Sequence, residues 1–166
     1  MLSKKMVKSL NEQIGRELES SIIYLQMSSW CAAQGLDGCA RFLRAHSGEE
    51  MEHMSKMFDY VLESGAQAVV PAIGKTEDDY KNVLDLFEAV LKHEKFITSQ
   101  IHALVEAAMG EKDFATFSFL QWYVTEQQEE EALFTRIVDT AKLIGLEGRG
   151  LYMLDRAVAG IGRAES

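Results

Sequence analysis

The sequence predicts an all-α fold with four long helices and one short helix. Three observations support this prediction. The 166 residues contain a single proline, Pro71. The long segments on either side of it are rich in Glu, Leu, Met, Ala and Gln, which favour helix, and apolar residues recur there at spacings of three and four. The predicted elements are a single domain over residues 1–166, a bundle over about 3–144 with helices at about 3–34, 38–64, 77–109 and 113–144, and a short helix at about 150–161.

Each long helix carries one apolar seam that polar residues interrupt near its middle. Charged groups are almost never fully buried unless they are paired or bound to a metal. Four carboxylates placed in four core seams therefore indicate bound cations. The seams, in chain order, are Val7, Leu10, Ile14, Glu17, Ser21 and Tyr24; Leu43, His46, Glu50, His53, Met57 and Tyr60; Tyr80, Val83, Phe87, Val90, Glu94, Ile97, Ile101, Leu104 and Ala108; and Leu120, Tyr123, Gln127, Glu130, Phe134, Ile137 and Ala141.

The interruptions lie at the same level of each predicted helix. The midpoints of the four helices fall near Leu18, Met51, His93 and Glu129. If the helices lie side by side, parallel or antiparallel, their midpoints share one level. The polar side chains of the four seams should then meet in one layer of the bundle. A misjudged seam or a solvated edge is the alternative for any one helix, and four coincidences at one level disfavour it.

The joints between helices predict the topology. Residues 35–38 and 109–113 form short turns, so helices one and two, and helices three and four, should be antiparallel neighbours. Between helices two and three lie residues 65–75, which can reach about 36 Å when extended. A helix of about 30 residues is roughly 45 Å long. A long crossover that leaves helices two and three parallel is feasible, and a loose surface loop is the alternative.

The start of the third helix and the end of the fourth carry local signals. Thr76 precedes three acidic residues and is predicted to be the N-cap of helix three. Residues 145–150 include three glycines, which predict the end of helix four. The short amphipathic segment that follows is too short to be stable alone. We expect it to pack on the bundle or against another subunit.

Composition excludes several classes of protein. A net charge of −9 argues against a nucleic-acid binder, which would carry a basic face. No window of about 18 apolar residues predicts a membrane span, and residues 1–6 lack the apolar core of a signal peptide. Cys31 and Cys39 are predicted to be buried thiols in a reducing cytosol, with a disulfide between them as the alternative. We therefore expect a cytoplasmic protein without nucleic-acid or membrane partners.

The second helix carries a pair of metal-ligand types one turn apart. Glu50 and His53 lie on one helix face, so both side chains can bind one ion. The two oxygens of Glu50 could also bridge two ions about 3.5–4 Å apart. Glu17 would complete the first ion; Glu94 and Glu130 would complete a second, with Gln127 nearby. Mixed oxygen and nitrogen ligands suit iron, although zinc or manganese would also bind.

Three further histidines are weaker candidates for metal ligands. His46, His93 and His102 each stand alone on a helix. Such residues are more often hydrogen-bonded or at the surface, so we do not expect them to be primary ligands.

Over its whole length, the chain resembles the bacterial non-haem ferritins. The residues that carry the resemblance are Leu10 to Gln13, Glu17, Tyr24, Glu49 to Met54, His93 with Glu94, and Phe119 to Glu131. The last two of these blocks are specific. The resemblance implies a ferritin-like four-helix bundle with one long crossover. It also implies a homo-oligomeric shell of 24 subunits that takes up Fe(II), oxidises it with O₂ or H₂O₂ and stores ferric mineral.

The resemblance also implies roles for individual residues. It implies a first iron site from Glu17, Glu50 and His53, and a second from Glu50, Glu94 and Glu130, with Gln127 close by. It further implies that Tyr24 stands beside this di-iron centre and can donate an electron; the alternative is a seam aromatic with a hydrogen-bonded hydroxyl. A third iron position is implied by the four carboxylates of Glu49, Glu126, Glu129 and Glu130, with a solvated acidic face as the alternative for the outer three.

Departures from related families narrow the prediction. Helix four lacks the second E-x-x-H of a bacterioferritin, and the CxxC pairs of a rubrerythrin are absent. Met51 lies where a bacterioferritin binds haem, but a methionine on a helix is more often a packing residue, and we expect no haem. The main alternative function is a di-iron oxidase or peroxidase that acts on a small substrate without storing iron. A further alternative is an acidic helical scaffold without metal.

Overall fold

The computed structural model describes residues 2–161, which form five helices and no strand. The outer limits predicted for the domain, residues 1 and 166, lie outside this range. The predicted four-helix bundle with a short C-terminal helix is confirmed. The helices are α1 (Lys4–Ala33), α2 (Asp37–Glu63), α3 (Val83–Glu111), α4 (Phe114–Ile144) and α5 (Arg149–Ile161).

Two hydrophobic clusters at opposite ends of the bundle establish the helix directions. The first joins the C-terminal halves of α1 and α4 to the N-terminal halves of α2 and α3, and it includes Tyr24, Leu43, Phe87 and Phe134. The second joins the remaining halves, and it includes Leu10, Ile14, Met57, Ile101 and Leu120. Because the same ends meet, α1 is parallel to α4, and α2 is parallel to α3. The long crossover predicted between α2 and α3 is therefore confirmed.

The crossover, residues 64–82, runs along the outside of α1. Near its start, the side chain of Asn11 donates to the carbonyl of Gln67 at 3.2 Å and accepts from the backbone N–H of Val69 at 2.9 Å. One turn further along α1, Pro71 packs against Gly15, where a Cβ atom would lie 2.5 Å from the proline Cγ. The segment is thus tied to α1 by hydrogen bonds and by close contact.

The predicted start of the third helix is wrong. Thr76 is not an N-cap: α3 begins at Val83, and Asn82 is its cap, because the Asn82 side chain accepts from the backbone N–H of Asp85 at 2.9 Å. The carboxylate of Asp85 reaches back to the N–H of Lys81 at 3.2 Å. This reciprocal arrangement satisfies two backbone N–H groups at the start of α3.

Two features explain why the chain stays extended past Thr76. The crossover must return to the end of the bundle where α1 finishes. There the ring of Tyr80 packs edge-on against Trp30 with centroids 5.7 Å apart.

The short helix α5 packs across the start of α2. Leu36, the N-cap residue of α2, makes no side-chain cap bond. The carboxylate of Asp155 on α5 instead accepts from the N–H groups of Gly38 at 3.0 Å and Cys39 at 2.8 Å. This is an N-cap supplied by another helix, and it fulfils the expectation that the C-terminal segment packs on the bundle.

Both cysteines are free thiols and both are buried. Burial, with the nearby charge of Asp155, raises the pKa of Cys31 to about 12. The pKa of Cys39 is raised for the same reason. Neither thiol is therefore a ready nucleophile at neutral pH. None of the helices α1 to α5 has an apolar stretch long enough for a membrane span.

Candidate metal centre

A layer of carboxylates lies between the two hydrophobic clusters. It is formed where the apolar seam of each long helix is interrupted, at Glu17 on α1, Glu50 on α2, Glu94 on α3 and Glu130 on α4. All four residues are at most 5% exposed. Within residues 2–161, their ion pairs involve histidines and not lysines or arginines. The layer therefore concentrates negative charge where little water can screen it.

The first group of possible ligands comes from α1 and α2. Glu17, Glu50 and His53 offer ligand atoms that all lie within 4.8 Å of one another, and all three residues are buried. The Nδ1 atom of His53 lies 3.3 Å from a carboxylate oxygen of Glu50. The hydroxyl of Tyr123 donates to the His53 carbonyl at 2.7 Å and ties α4 to this part of α2.

On the opposite side of the layer, hydrogen bonds hold Glu94. The hydroxyl of Tyr24 donates to one of its carboxylate oxygens. The amide of Gln127 donates to the other at 2.9 Å. Tyr24 is fully buried and packs beside the rings of His46 and His93, with centroids 5.6 and 6.1 Å apart. The tyrosine thus contacts a candidate ligand directly.

A second group of possible ligands centres on His46. Its Nε2 lies 2.8 Å from Glu130, and its Nδ1 lies 2.8 Å from Glu49. The three residues offer ligand atoms within 4.8 Å of one another. The imidazole is buried and stacks on Phe42 with centroids 5.4 Å apart. His46 therefore connects the buried layer to Glu49, which is exposed.

Burial and like charge raise the pKa values of three carboxylates of the layer, Glu17, Glu50 and Glu94. Burial raises the pKa of Glu17 to about 7, although a hydrogen bond from Gln13 opposes the shift. Burial, with repulsion from Glu94, Glu17 and Glu130, raises the pKa of Glu50 well above its usual range. The pKa of Glu94 is raised by burial and by Glu130. A nearby cation would relieve these repulsions, so the layer suits a cation.

The donor set indicates which cations the layer could hold. It combines several carboxylates with imidazole and contains no thiolate, since both cysteines lie at the other end of the first hydrophobic cluster. Oxygen ligands with one or two imidazoles suit divalent iron, manganese or zinc. Neither group supplies the four protein ligands that a closed structural zinc site has.

Other predicted site residues lie outside these two groups. The structure places Glu126 with its Oε1 3.8 Å from Nε2 of His53, and it leaves Glu129 exposed. Glu49 and Glu130 come together around His46. Burial, with the charges of Glu130, Glu129 and Glu49, raises the pKa of Glu126, and His53 opposes the shift. Met51 lies on an exposed face of α2.

Two residues near the layer were undervalued or missed from sequence. His46 was treated as a weak candidate, yet its place in the α2 seam is a signal of burial. Gln13 is among the residues that carry the resemblance, but the sequence predicts no role for it at the site. Its position four residues before Glu17 puts both on one helix face, and its amide donates to Glu17 at 2.8 Å. His93 and His102 are outside the two groups: His93 contacts Ser20 at 2.7 Å, and His102 is exposed.

Comparison with known proteins identifies the family. Residues 7–144 match the ferritin-like domain family. The chain belongs to this family. It is 48% identical over 161 residues to the bacterial non-heme ferritin of Campylobacter jejuni, which covers 97% of this chain and 96% of the relative. It is 44% identical over 159 residues to the bacterial non-heme ferritin of Escherichia coli O6:H1, with 96% of each chain covered.

The fold of the family is shared in detail. An open pore ferritin from the hyperthermophilic archaeon Archaeoglobus fulgidus superposes with a TM-score of 0.94 at 44% identity, covering 96% of this chain and 98% of that one. A Chlorobium tepidum ferritin superposes with a TM-score of 0.86 at 45% identity, covering 95% and 97%. Both groups of possible ligands lie within the segment that matches the ferritin-like domain.

Proposed function

We propose that this protein oxidises Fe(II) at the buried carboxylate layer and stores the ferric product inside a homo-oligomeric shell. The observation that carries the proposal is the layer itself: four buried carboxylates and an imidazole from four helices, without a lysine or arginine partner within residues 2–161. The relatives of this chain support it, since those from C. jejuni and E. coli are named bacterial non-heme ferritins.

In this proposal two Fe(II) ions bind in the layer. The first is held by Glu17, Glu50 and His53. The second is held by Glu94 and Glu130, with Glu50 shared between the ions and Gln127 hydrogen-bonded to Glu94. Each ion gives up one electron. O₂ with two protons then yields H₂O₂, or H₂O₂ with two protons yields two molecules of water.

Tyr24 is suited to assist this oxidation. Its hydroxyl donates to Glu94, and burial with the neighbouring carboxylates raises its pKa well above the usual range. The phenol is therefore kept protonated beside the ions. We propose that it can donate a further electron, releasing its proton to Glu94, when an oxidant needs more than two.

A third iron position is proposed on the side of the layer that carries Glu49, Glu126, Glu129 and Glu130. Glu49 is exposed and Glu126 is partly exposed, so this position would be open to solvent. It would receive iron between the buried centre and the interior of a shell of 24 subunits.

Iron loading followed by size-exclusion chromatography tests the proposal. We expect a large particle that retains many irons per subunit after aerobic addition of Fe(II). About two irons per bundle, with none in a mineral, would favour a di-iron oxidase or peroxidase. Retention of no iron would favour an acidic scaffold.

A further inference from the structure

Gln13 is a fully buried amide beside the candidate centre, and its orientation is defined by two hydrogen bonds. Its Nε2 donates to Oε1 of Glu17 at 2.8 Å, and its Oε1 accepts from Nη1 of Arg16 at 3.1 Å. A guanidinium group has donors and no acceptor. Arg16 therefore holds the amide oxygen toward itself, and the amide NH₂ must face Glu17.

The three residues belong to one face of α1. Arg16 and Glu17 follow Gln13 by three and four positions, which places them next to it on the helix surface. The guanidinium is itself held by Glu12, whose carboxylate lies 3.9 Å away. The chain of contacts thus runs from a partly exposed cation, through a buried amide, to a buried candidate ligand, within a single helix.

The same kind of donor appears on the other side of the layer. The amide of Gln127 donates to Oε2 of Glu94 at 2.9 Å. Each of the carboxylates Glu17 and Glu94 therefore has one oxygen engaged by an amide N–H. Gln13 thus engages one oxygen of Glu17, the carboxylate that forms the first group of possible ligands with Glu50 and His53.

We propose that Gln13, oriented by Arg16, is a positioning residue that holds Glu17 in the conformation needed to bind a divalent transition-metal ion at the first position. This inference rests on the proposed function, because it assigns Glu17 to a metal position. It adds two residues that are not themselves ligands. Outer hydrogen-bond partners of metal ligands typically contribute about 10- to 100-fold to metal affinity.

Anaerobic titration with Co(II), followed by visible absorption, tests the inference. Co(II) reports both the number of bound ions and the geometry of their ligands. The variants are Gln13→Leu, which removes the donor at similar size, and Arg16→Met, which removes the group that orients it. Lys8→Met is the matched control, since Lys8 pairs with the same Glu12 at 3.8 Å but does not contact Gln13.

We expect Gln13→Leu to weaken one Co(II) position about 10- to 100-fold and to alter its absorption bands, while the other position binds as in the wild type. Arg16→Met should cause a smaller loss at the same position, and Lys8→Met should cause none. If Gln13→Leu fails to fold, Arg16→Met still tests the inference. Equal affinities and spectra in the folded Gln13→Leu, Arg16→Met and wild-type proteins would overturn the inference alone. Wild-type protein that binds no Co(II) would overturn the proposed function and the inference with it.

Discussion

At the scale of single residues, Glu50 has the most demanding position. It lies in the α2 seam and belongs to the first group of possible ligands. Burial, together with the carboxylates of the other three helices, raises its pKa. A side chain close to the carboxylates of all three other helices is well placed to contact two ions. The imidazole of His53, one turn away, lies next to the Glu50 carboxylate.

Replacing Glu50 should therefore remove rapid Fe(II) oxidation without unfolding the protein. We expect Glu50→Ala to lower the initial rate by more than the roughly 100-fold that loss of an outer partner can cause. Without metal, removing one of several like charges should cost little stability. Stopped-flow oxidation at two Fe(II) per subunit is the measurement, with Glu52→Ala, an exposed neighbour, as the control. Wild-type rates in Glu50→Ala would refute the bridging role.

The stability of the metal-free protein should depend on pH through the same layer. The pKa of Glu17 is raised from 4.5 to about 7, so the folded chain retains a proton that the unfolded chain releases. The free energy of unfolding should then fall as pH rises from about 4.5 to about 7. Glu50 and Glu94 act in the same direction. His93 opposes them below pH 6.5, because burial lowers its pKa to about 4.

Chemical unfolding with a chelator, at fixed protein concentration, measures this dependence. We expect the free energy of unfolding to be higher at pH 6.5 than at pH 7.5 by an amount on the order of 1 kcal/mol. Glu17→Gln should reduce the difference, since it removes one titrating group. At pH 7.5 a divalent ion should stabilise the wild type. If neither pH nor metal changes the stability, the carboxylates do not repel one another as described.

At the scale of elements, the crossover and α5 hold the bundle through close backbone contacts. The crossover packs closely against α1 at Gly15, because any larger residue there would meet the ring of Pro71. Gly38 plays a similar part for α5, since its missing side chain leaves room for the backbone at Asp155. Both contacts depend on the absence of a Cβ atom and not on hydrophobic burial.

Gly15→Ala should destabilise the protein although alanine favours helix. The new Cβ would lie 2.5 Å from Cγ of Pro71, so the crossover must shift. We expect a loss of about 1–3 kcal/mol, typical of overpacking. Gly48→Ala on α2 is the matched control: no atom lies within 4 Å of its Cβ position, and it should gain about 0.5–1 kcal/mol. Urea unfolding compares the two. A gain in both variants would contradict the close contact at Pro71.

Asp155→Ala should weaken the start of α2. The change removes the carboxylate that accepts from the N–H groups of Gly38 and Cys39. We expect a loss of about 1 kcal/mol, as for other N-cap residues. Arg156→Ala, an exposed neighbour on α5, is the control. Thermal or urea unfolding measures the difference, and faster hydrogen exchange at residues 38–40 should accompany it. Equal stability of both variants would show that α5 does not cap α2.

At the scale of the whole molecule, the proposal requires iron to pass from the buried centre to the interior of a shell. In this proposal, iron would pass by the carboxylates that lie outside the layer. Glu49 contacts His46, and Glu126 lies near His53, so each is next to a residue of one of the two groups. An open position among them would be weaker than the buried centre, because water screens its charges.

Replacing Glu49, Glu126 and Glu129 together with alanine should leave the first two irons bound. It should change the number of Fe(II) oxidised per O₂ and slow the transfer of iron to the mineral. Oxygen consumption and iron retention are the measurements. Alanine at Glu52, Glu63 and Glu106, which are exposed on α2 and α3, is the matched control. Crystals soaked anaerobically in Fe(II) that fill the first two positions but not the third would identify these residues as an ordinary acidic surface.

The sequence by itself determined the helical fold and the level at which its polar residues meet. Helical periodicity assigns a residue to a face, and equal helix lengths align the midpoints, so Glu17, Glu50, Glu94 and Glu130 could be placed in one layer before any contact was known. The short turns also determined which helices are antiparallel neighbours. These inferences succeed because they depend on local geometry.

The tertiary structure decided the contacts that helical periodicity does not predict. α3 begins at Val83 because Tyr80 packs on Trp30 and the side chain of Asn82 caps the helix, whereas local signals favoured a start at Thr76. His46 is part of the layer because Glu130 on α4 reaches one of its nitrogens, while Glu49, one turn along α2, reaches the other. Asp155 became a cap for a helix more than a hundred residues earlier in the chain. Hydrogen bonds between residues distant in sequence depend on how the helices rotate and slide against one another. The spacing of residues in a single sequence does not reveal these movements.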